Sequence, residues 1–316
     1  LQQKVQVIRA MQERVAIAHD VQTEHVLSSE SLGVGRVNHI LKVHGDHIAR
    51  DNEALAGFDA STRAEMDRLF PHLTDESREQ AALSVAVGGL GWRRATDIAR
   101  AANLSALVMA RPFVRSMAAA AVRAGLMSEG VLEDRLDTKI QEVQAGYLGT
   151  LDEADRVKAA EFVQKARDAA ERNWEHVAGG ASVAPSVDVS FEEGDVALAA
   201  SGHVQDEDTE RASGARRRLT TQHLQRELGR LLDRTRLRAL EATLRRQCNW
   251  DQVEALKDLR HEKVSHKWIR HLDSRRGAVL LQTDYVFNVQ RRLGARIQER
   301  EIECRLCGKP LDPSLA

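Results

Sequence analysis

The stretch A-L-S-V-A-V-G-G-L-G-W-R-R-A-T-D-I-A-R-A-A, Ala82 to Ala102, is the most distinctive local pattern in this 316-residue chain. Leu83, Val85 and Val87 alternate like a short extended segment. Gly88-Gly89 and Gly91 supply backbone freedom for a sharp turn, and Thr96 is placed to cap an Ala-rich helix running to about Arg111. One reading is a turn where backbones approach closely; the other is a phosphate-binding loop, although the spacing matches neither a Walker nor a Rossmann fingerprint. Either reading leads into a helix.

Outward from that stretch the helical signals continue. Val5, Ile8, Met11 and Val15 keep helical spacing from the first residues, so Leu1 reads as a cut through a helix. Thr62 with Glu65 fits a capping box and Thr74-Asp75-Glu76 an N-cap with acidic first-turn residues, each starting a short helix. Leu69-Phe70-Pro71 marks the break between them. Helices are predicted at 114–125, 129–146 and 152–173. Aromatics make up only 4% of the chain and prolines number five, while Leu, Ala and Arg are abundant. That mix favours helix over sheet, because straight-chain residues lose little rotamer freedom in a helix. No stretch of 18 apolar residues and no signal-peptide layout is present, so an intracellular, nuclear or cytoplasmic chain without a membrane partner is expected.

The net charge of −1 conceals segregation. Asn173 to Glu210 holds nine acidic residues and no Lys or Arg, whereas Arg211 to Arg300 holds 22 Lys and Arg against ten Asp and Glu. Val177 to Ala215, rich in Gly, Ser, Ala and acid with weak periodicity, predicts a flexible acidic linker. Beyond it Leu224, Leu228, Leu231, Leu232, Leu237, Leu240 and Leu244 define a helix face that needs a partner. Arg226, Arg230, Arg234 and Arg238 stand four apart, advancing about 40° per step as one basic stripe roughly 18 Å long. Like charges at that spacing do not stabilise a helix. A solvated face relieved by Glu227, Asp233 and Glu241 and a surface for nucleic-acid phosphates are the two readings.

Catalytic constellations are scarce. The sequence has no adjacent Asp-Asp pair, no H-E-x-x-H, no G-x-S-x-G and no P-loop. His39, His44 and His47 near Asp46 and Asp51 read as a surface group at a helix end, with metal binding the lesser alternative. Cys304-x-x-Cys307-Gly308 has the spacing of half a zinc knuckle, with a redox pair or inert thiols as alternatives. Within the nine residues after Cys307 there is no His or Cys to complete a site.

Several segments taken in order resemble the C-terminal region of reverse transcriptases encoded by non-LTR retrotransposons. They are Gly57-Phe58-Asp59, Met66 and Leu69, Leu83 to Arg93 and the Ala-rich helix after it, Trp268-Ile269, the Asp273–Gly277 loop, Tyr285 to Val289, Arg291-Arg292-Leu293-Gly294, and Cys304, Cys307, Gly308, Leu311 and Asp312. The resemblance implies thumb helices gripping a template–primer backbone, a linker, a second helical region and a C-terminal zinc knuckle. Zinc on Cys304 and Cys307 is the one cofactor it implies, at a site that is incomplete in this sequence. Polymerisation needs palm aspartates in a Tyr-x-Asp-Asp setting, and neither Tyr147-Leu148-Gly149 nor Tyr285-Val286-Phe287 fits.

The expectation is therefore a mainly α chain of two helical units joined by a flexible acidic linker: a thumb-like region over 1–175, the linker over 176–215, a basic helical region over 216–300 and a truncated CxxC hairpin over 301–316. Its expected function is binding RNA or DNA as a non-catalytic part of a polymerase whose remaining polypeptide is absent from this chain. The contact residues expected are Arg93, Arg94, Arg226, Arg230, Arg234, Arg238, Arg291 and Arg292. The rival reading is a helical scaffold or adaptor that docks on other helices without nucleic acid.

Overall fold

A computed structural model of the chain describes residues 2–50, 53–178, 221–261, 269, 282–294, 302–303 and 310–311. The chain is mainly helical. The helices are α1 (Gln2–Val15), α2 (Val21–Val26), α3 (Asn38–Arg50), α4 (Glu53–Leu69), α5 (Asp75–Ala81), α6 (Ala95–Arg123), α7 (Val131–Leu148), α8 (Glu153–Ala178), α9 (Thr221–Arg246), α10 (Trp250–His261) and α11 (Gln282–Arg292). Two short antiparallel strands, β1 (Ile302–Glu303) and β2 (Pro310–Leu311), pair Ile302 with Leu311 and Glu303 with Pro310. The linker expected over 176–215 falls almost wholly outside the described residues, as do Cys304 and Cys307.

Helix α6 is the element the others pack on. Its first half is alanine-rich, and Ala95, Ala99 and Ala102 share a buried cluster with Val37 and Leu41 near and on α3, Leu55 and Phe58 on α4, and Val5 and Ile8 on α1. A Cβ at Gly45 of α3 would lie 3.0 Å from Asn103 Cβ and closer still to the Ala99 carbonyl oxygen, so the two helices approach at small residues. Further along, Leu104 and Val108 join Ile140, Val143 and Tyr147 of α7, Val163 of α8, and Leu224, Leu228, Leu231 and Leu232 of α9.

The helix predicted to stop near Arg111 continues through Pro112 to Arg123. An interior proline removes one backbone hydrogen bond and disfavours a helix by about 3 kcal/mol. Tertiary contacts offset that here. Arg111 Nε donates to Asp137 at 2.6 Å and its guanidinium also reaches Glu171, while Arg115 pairs with Glu133 at 3.4 Å, tying both α7 and α8 to the residues around the proline. Thr62 likewise starts no helix: it lies buried inside α4, which runs unbroken from Glu53 to Leu69. Burial of Leu55, Phe58, Met66 and Leu69 along α4 outweighs a local capping box. Thr74 does cap α5, accepting from the Ser77 N–H at 3.1 Å, and α4 ends before Phe70-Pro71 as expected.

The segments expected as two helical units share three of four hydrophobic clusters. One cluster joins Phe70, Leu90 and Trp92 to Ile269, Tyr285, Val289 and Leu293; another joins Leu83 to Leu237, Leu240, Leu244, Val253 and Leu256; the third is that of α6, α7, α8 and α9. The boundaries near 176 and 216 do not separate two cores. A leucine face such as that of α9 needs a partner, and the N-terminal helices supply it.

The quoted stretch is the junction. Leu83 to Val87 do not extend: Val85–Val87 is a 3-10 turn, and the chain folds back so that the N–H groups of Leu90 and Trp92 both donate to Ala81 O at 3.2 Å and that of Gly91 to Leu83 O at 2.9 Å. Gly88 and Gly91 have φ of 96° and 82°, the left-handed region that glycine adopts without strain. A Cβ on Gly89 would stand 2.7 Å from Gln80 O and closer still to Leu83 O. The close-approach reading of the glycines is the one the backbone adopts.

Two expected outcomes follow from this geometry. Gly89→Ala should lower stability by about 3 kcal/mol or more in urea unfolding, whereas Gly57→Ala in the interior of α4, where the nearest atom to a new Cβ is Arg9 Nη2 at 3.8 Å, should be neutral or stabilising by up to about 1 kcal/mol. The hydrogen bond from Arg111 holds the Asp137 carboxyl below its ordinary range. Its contribution is therefore complete above the unfolded-state value near 4 and is lost as pH falls through the folded-state value, so the melting temperature between about pH 5 and pH 2 should fall less in Asp137→Asn than in the parent.

Candidate nucleic-acid interface

Eight arginines were expected to face phosphate, and the fold distributes them differently. Each step of four along α9 turns by about 40°, so the stripe winds from solvent toward α8. Arg226 is exposed; Arg230 is exposed and pairs with Glu227 at 2.7 Å. Arg234 comes within 4.0 Å of Asp155, and Arg238 Nε donates to Asp152 at 2.6 Å while its Nη2 reaches Asp155. The Asp155 side chain is 0% exposed. Asp152 caps α8 by accepting from the Asp155 N–H at 3.1 Å, so both carboxylates sit where the positive end of that helix favours them. The lower half of the stripe is thus an ion-pair clamp between α9 and α8.

The arginines after the glycine turn are also taken up internally. Arg93 Nη2 donates to Asp233 at 2.7 Å and to the Gly229 carbonyl at 3.2 Å. A Cβ at Gly229 would lie 3.2 Å from that Nη2, which gives the mid-helix glycine a purpose: it lets the guanidinium lie against the backbone of α9. Arg94 pairs with Glu79 and, at 3.6 Å, with Asp97, and Arg236 of α9 reaches the same two carboxylates. Asp59 of α4 accepts from the Ala95 N–H at 2.7 Å, the Thr96 N–H at 3.1 Å and the Thr96 hydroxyl at 2.6 Å. The cap of α6 is therefore a carboxylate from another helix, not Thr96 acting alone.

Arg292 is only 6% exposed and donates to Val85 O at 3.2 Å and Gly89 O at 3.4 Å, and burial lowers its pKa to about 10. Around it Gln80 Nε2 donates to Arg292 O at 2.8 Å and Gly88 O at 3.1 Å, and Gln252 Nε2 donates to Leu293 O at 2.9 Å. The Gly-Gly-Leu-Gly and Arg-Arg-Leu-Gly segments, far apart in sequence, thus meet directly, while Gly-Phe-Asp joins the start of the helix that follows the turn through Asp59. Arg93, Arg94, Arg234, Arg238 and Arg292 are internal ties of the fold, a use that spacing along the sequence does not reveal because their carboxylate and carbonyl partners lie on other elements.

Arg226, Arg230 and Arg291 remain exposed, joined by Arg245 and Arg246 in the last turn of α9, which the sequence reading passed over. Arg291 borders a cleft of about 620 Å³ with Thr74, Glu76, Gln247, Asn249, Asp251, Gln252, Ala255 and Gly294. Gln247 Nε2 donates to Glu76 at 2.6 Å, which holds that carboxyl below its ordinary range. Cys248, with φ of 58°, turns the chain from α9 into α10. The signal that was available is the run R-R-Q-C-N-W at a helix end.

No group of three or more His, Cys, Asp or Glu placed to hold a metal ion occurs among the described residues. His39 and His44 are exposed on α3, and the His47 side chain is outside the described set. One described helix, α6, has the length and apolar composition of a membrane span. Arg111 and Arg115 within it are paired with carboxylates of α7 and α8.

Reversing charge separates the two classes of arginine. Arg238→Glu should cost about 1–3 kcal/mol in chemical unfolding, because it leaves the Asp155 carboxylate buried beside a like charge, whereas Arg226→Glu should fall within about 0.5 kcal/mol of the parent. Comparison with protein-family models, with characterised proteins and with solved structures found no match to this chain.

Proposed function

We propose that this chain is the thumb and post-thumb region of a retroelement-encoded reverse transcriptase, a non-catalytic segment that binds RNA or DNA through phosphate contacts. The observation that carries the reading is the set of arginines exposed outside the internal ties: Arg226, Arg230, Arg245, Arg246 and Arg291. Four of the five lie on α9, on the most basic segment of the chain. The ordered motifs support the ancestry: Arg292 bonds to the glycine turn, and Asp59 holds the start of the helix that follows that turn. Cys304 and Cys307 would supply two thiolates of the zinc knuckle in a longer relative. The segment has no palm aspartates and is inactive in polymerisation by itself.

A second reading, a helical scaffold, is favoured by one observation. Phe113 and Met117, one turn apart on α6, are 51% and 55% exposed, and Phe113 meets the Trp174 ring edge-on at 5.8 Å. A helix laid on that face would bind with little dependence on salt.

Titration with a labelled primer–template duplex over a range of salt concentrations decides between them. Phosphate neutralisation by about five arginines predicts a log–log salt slope of roughly −4 to −5, falling by about 1 for each arginine removed among Arg226, Arg230, Arg245, Arg246 and Arg291. Absence of duplex binding at low salt sinks the nucleic-acid reading. Salt-insensitive association lost in Phe113→Ser with Met117→Ser would favour the scaffold instead.

A further inference from the structure

We infer that the segment 2–178 carries a surface that takes 221–294 as a separable partner: the two stay assembled without the covalent link through 179–220, and the surface accepts the segment when it arrives as a second polypeptide. The inference is independent of the nucleic-acid reading above. Among the described residues, one hydrophobic cluster, with Val5, Ile8, Leu41, Phe58 and Ala99, lies wholly within 2–178. Every cluster that includes residues of 221–294 also includes residues of 2–178. The first segment thus holds a core of its own, whereas the second completes its cores on the first.

The contacts run the length of the second segment. Gln225 Nε2 donates to Asn38 Oδ1 at 2.7 Å near the start of α9, Gln290 Nε2 donates to Pro71 O at 3.0 Å, and Leu293 O at the far end accepts from Ser77 Oγ at 3.0 Å. Between them Tyr147 donates to Leu228 O at 2.6 Å and Gln80 Nε2 to Arg292 O at 2.8 Å.

A leucine face alone would accept many amphipathic helices. Here α9 also presents Asp233 to Arg93, Arg236 to Asp97 and Arg238 to Asp155. A slip of α9 by one turn would break all three pairs and strand the Asp155 carboxylate, which is 0% exposed. The charges therefore select this segment in this register and reject a generic leucine-faced helix.

A covalent link adds no contact to such an assembly. It raises the effective concentration of the partner, to the order of millimolar for a short linker and less for a long one. An interface that resembles a domain core cut in two belongs to the obligate class, whose association does not need that increase.

The test uses the full chain with a site for a sequence-specific protease inserted between Ala200 and Ser201 and an affinity tag at its first residue. Before cleavage its melting temperature should match the parent's and be independent of concentration. After cleavage, verified by denaturing gel electrophoresis, the two pieces should co-elute in size-exclusion chromatography, stay together on the tag resin in high salt, and melt at a temperature that rises with concentration. Pieces separated in urea should reassemble when diluted together, with recovery of the parent's far-ultraviolet circular dichroism. Arg238→Glu should raise the dissociation constant of the cleaved pair by about tenfold or more, and Arg226→Glu should leave it unchanged. Separate elution or aggregation of the pieces after cleavage overturns the inference, as does failure to reassemble from urea. Loss of fold on insertion alone also overturns it, by showing that the link itself is required. Equal weakening by the two substitutions overturns the register assigned to α9.

Discussion

The backbone of Gly89 lies so close to the carbonyls of Gln80 and Leu83 that no side chain fits there, and much of the architecture depends on that approach. Folding the chain back at this point puts Leu90 and Trp92 into the cluster with Tyr285 and Leu293, and leaves Leu83 facing the leucines of α9 and α10. It also aims Arg93 at Asp233 and delivers Ala95 to the Asp59 cap. The carbonyls exposed by the turn are answered from a distance by Arg292 and Gln80. A buried guanidinium is costly to desolvate, as its lowered pKa indicates, and here it supplies donors to the buried carbonyls of Val85 and Gly89.

The same logic governs the aromatic residues beside the turn. His25 stacks on Trp92 at 5.6 Å, meets Phe70 edge-on at 5.3 Å and shares a hydrogen bond with the Tyr285 hydroxyl, which also donates to Ile269 O at 3.3 Å. Burial raises the pKa of that tyrosine, keeping the phenol neutral as the hydrogen-bonding group of an otherwise apolar cluster. Tyr147 does the equivalent for the other large cluster, donating to Leu228 O at 2.6 Å. In both cases a tyrosine fastens one segment to the other across the stretch between 178 and 221.

Charge has two uses in this chain. Where α9 faces its neighbours, its arginines meet buried or half-buried carboxylates on α5, α6 and α8, its Asp233 receives Arg93, and these pairs fix the rotation of α9 about its own axis more than they add stability. Where α9 faces water, Arg226, Arg245 and Arg246 are exposed. Among the described residues of α9, part of the basic excess is therefore taken up by carboxylates on neighbouring helices.

The sequence by itself determined the helical class, the cap at Thr74, the break before Pro71 and the sharp glycine turn, because each depends on a residue's own φ preference, its rotamer freedom or a hydrogen bond to a near neighbour. It also marked the leucine face of α9 as needing a partner. Only the tertiary structure decided that α6 runs through Pro112, that Asp59 caps it, and that the segments on either side of residues 179–220 share their cores. It likewise decided which arginines are ties and which face water, since a periodicity gives the spacing of a stripe along one helix but not the position of a carboxylate on another. Those outcomes arise from contacts between residues tens to hundreds of positions apart, where packing and charge pairing outweigh local propensity.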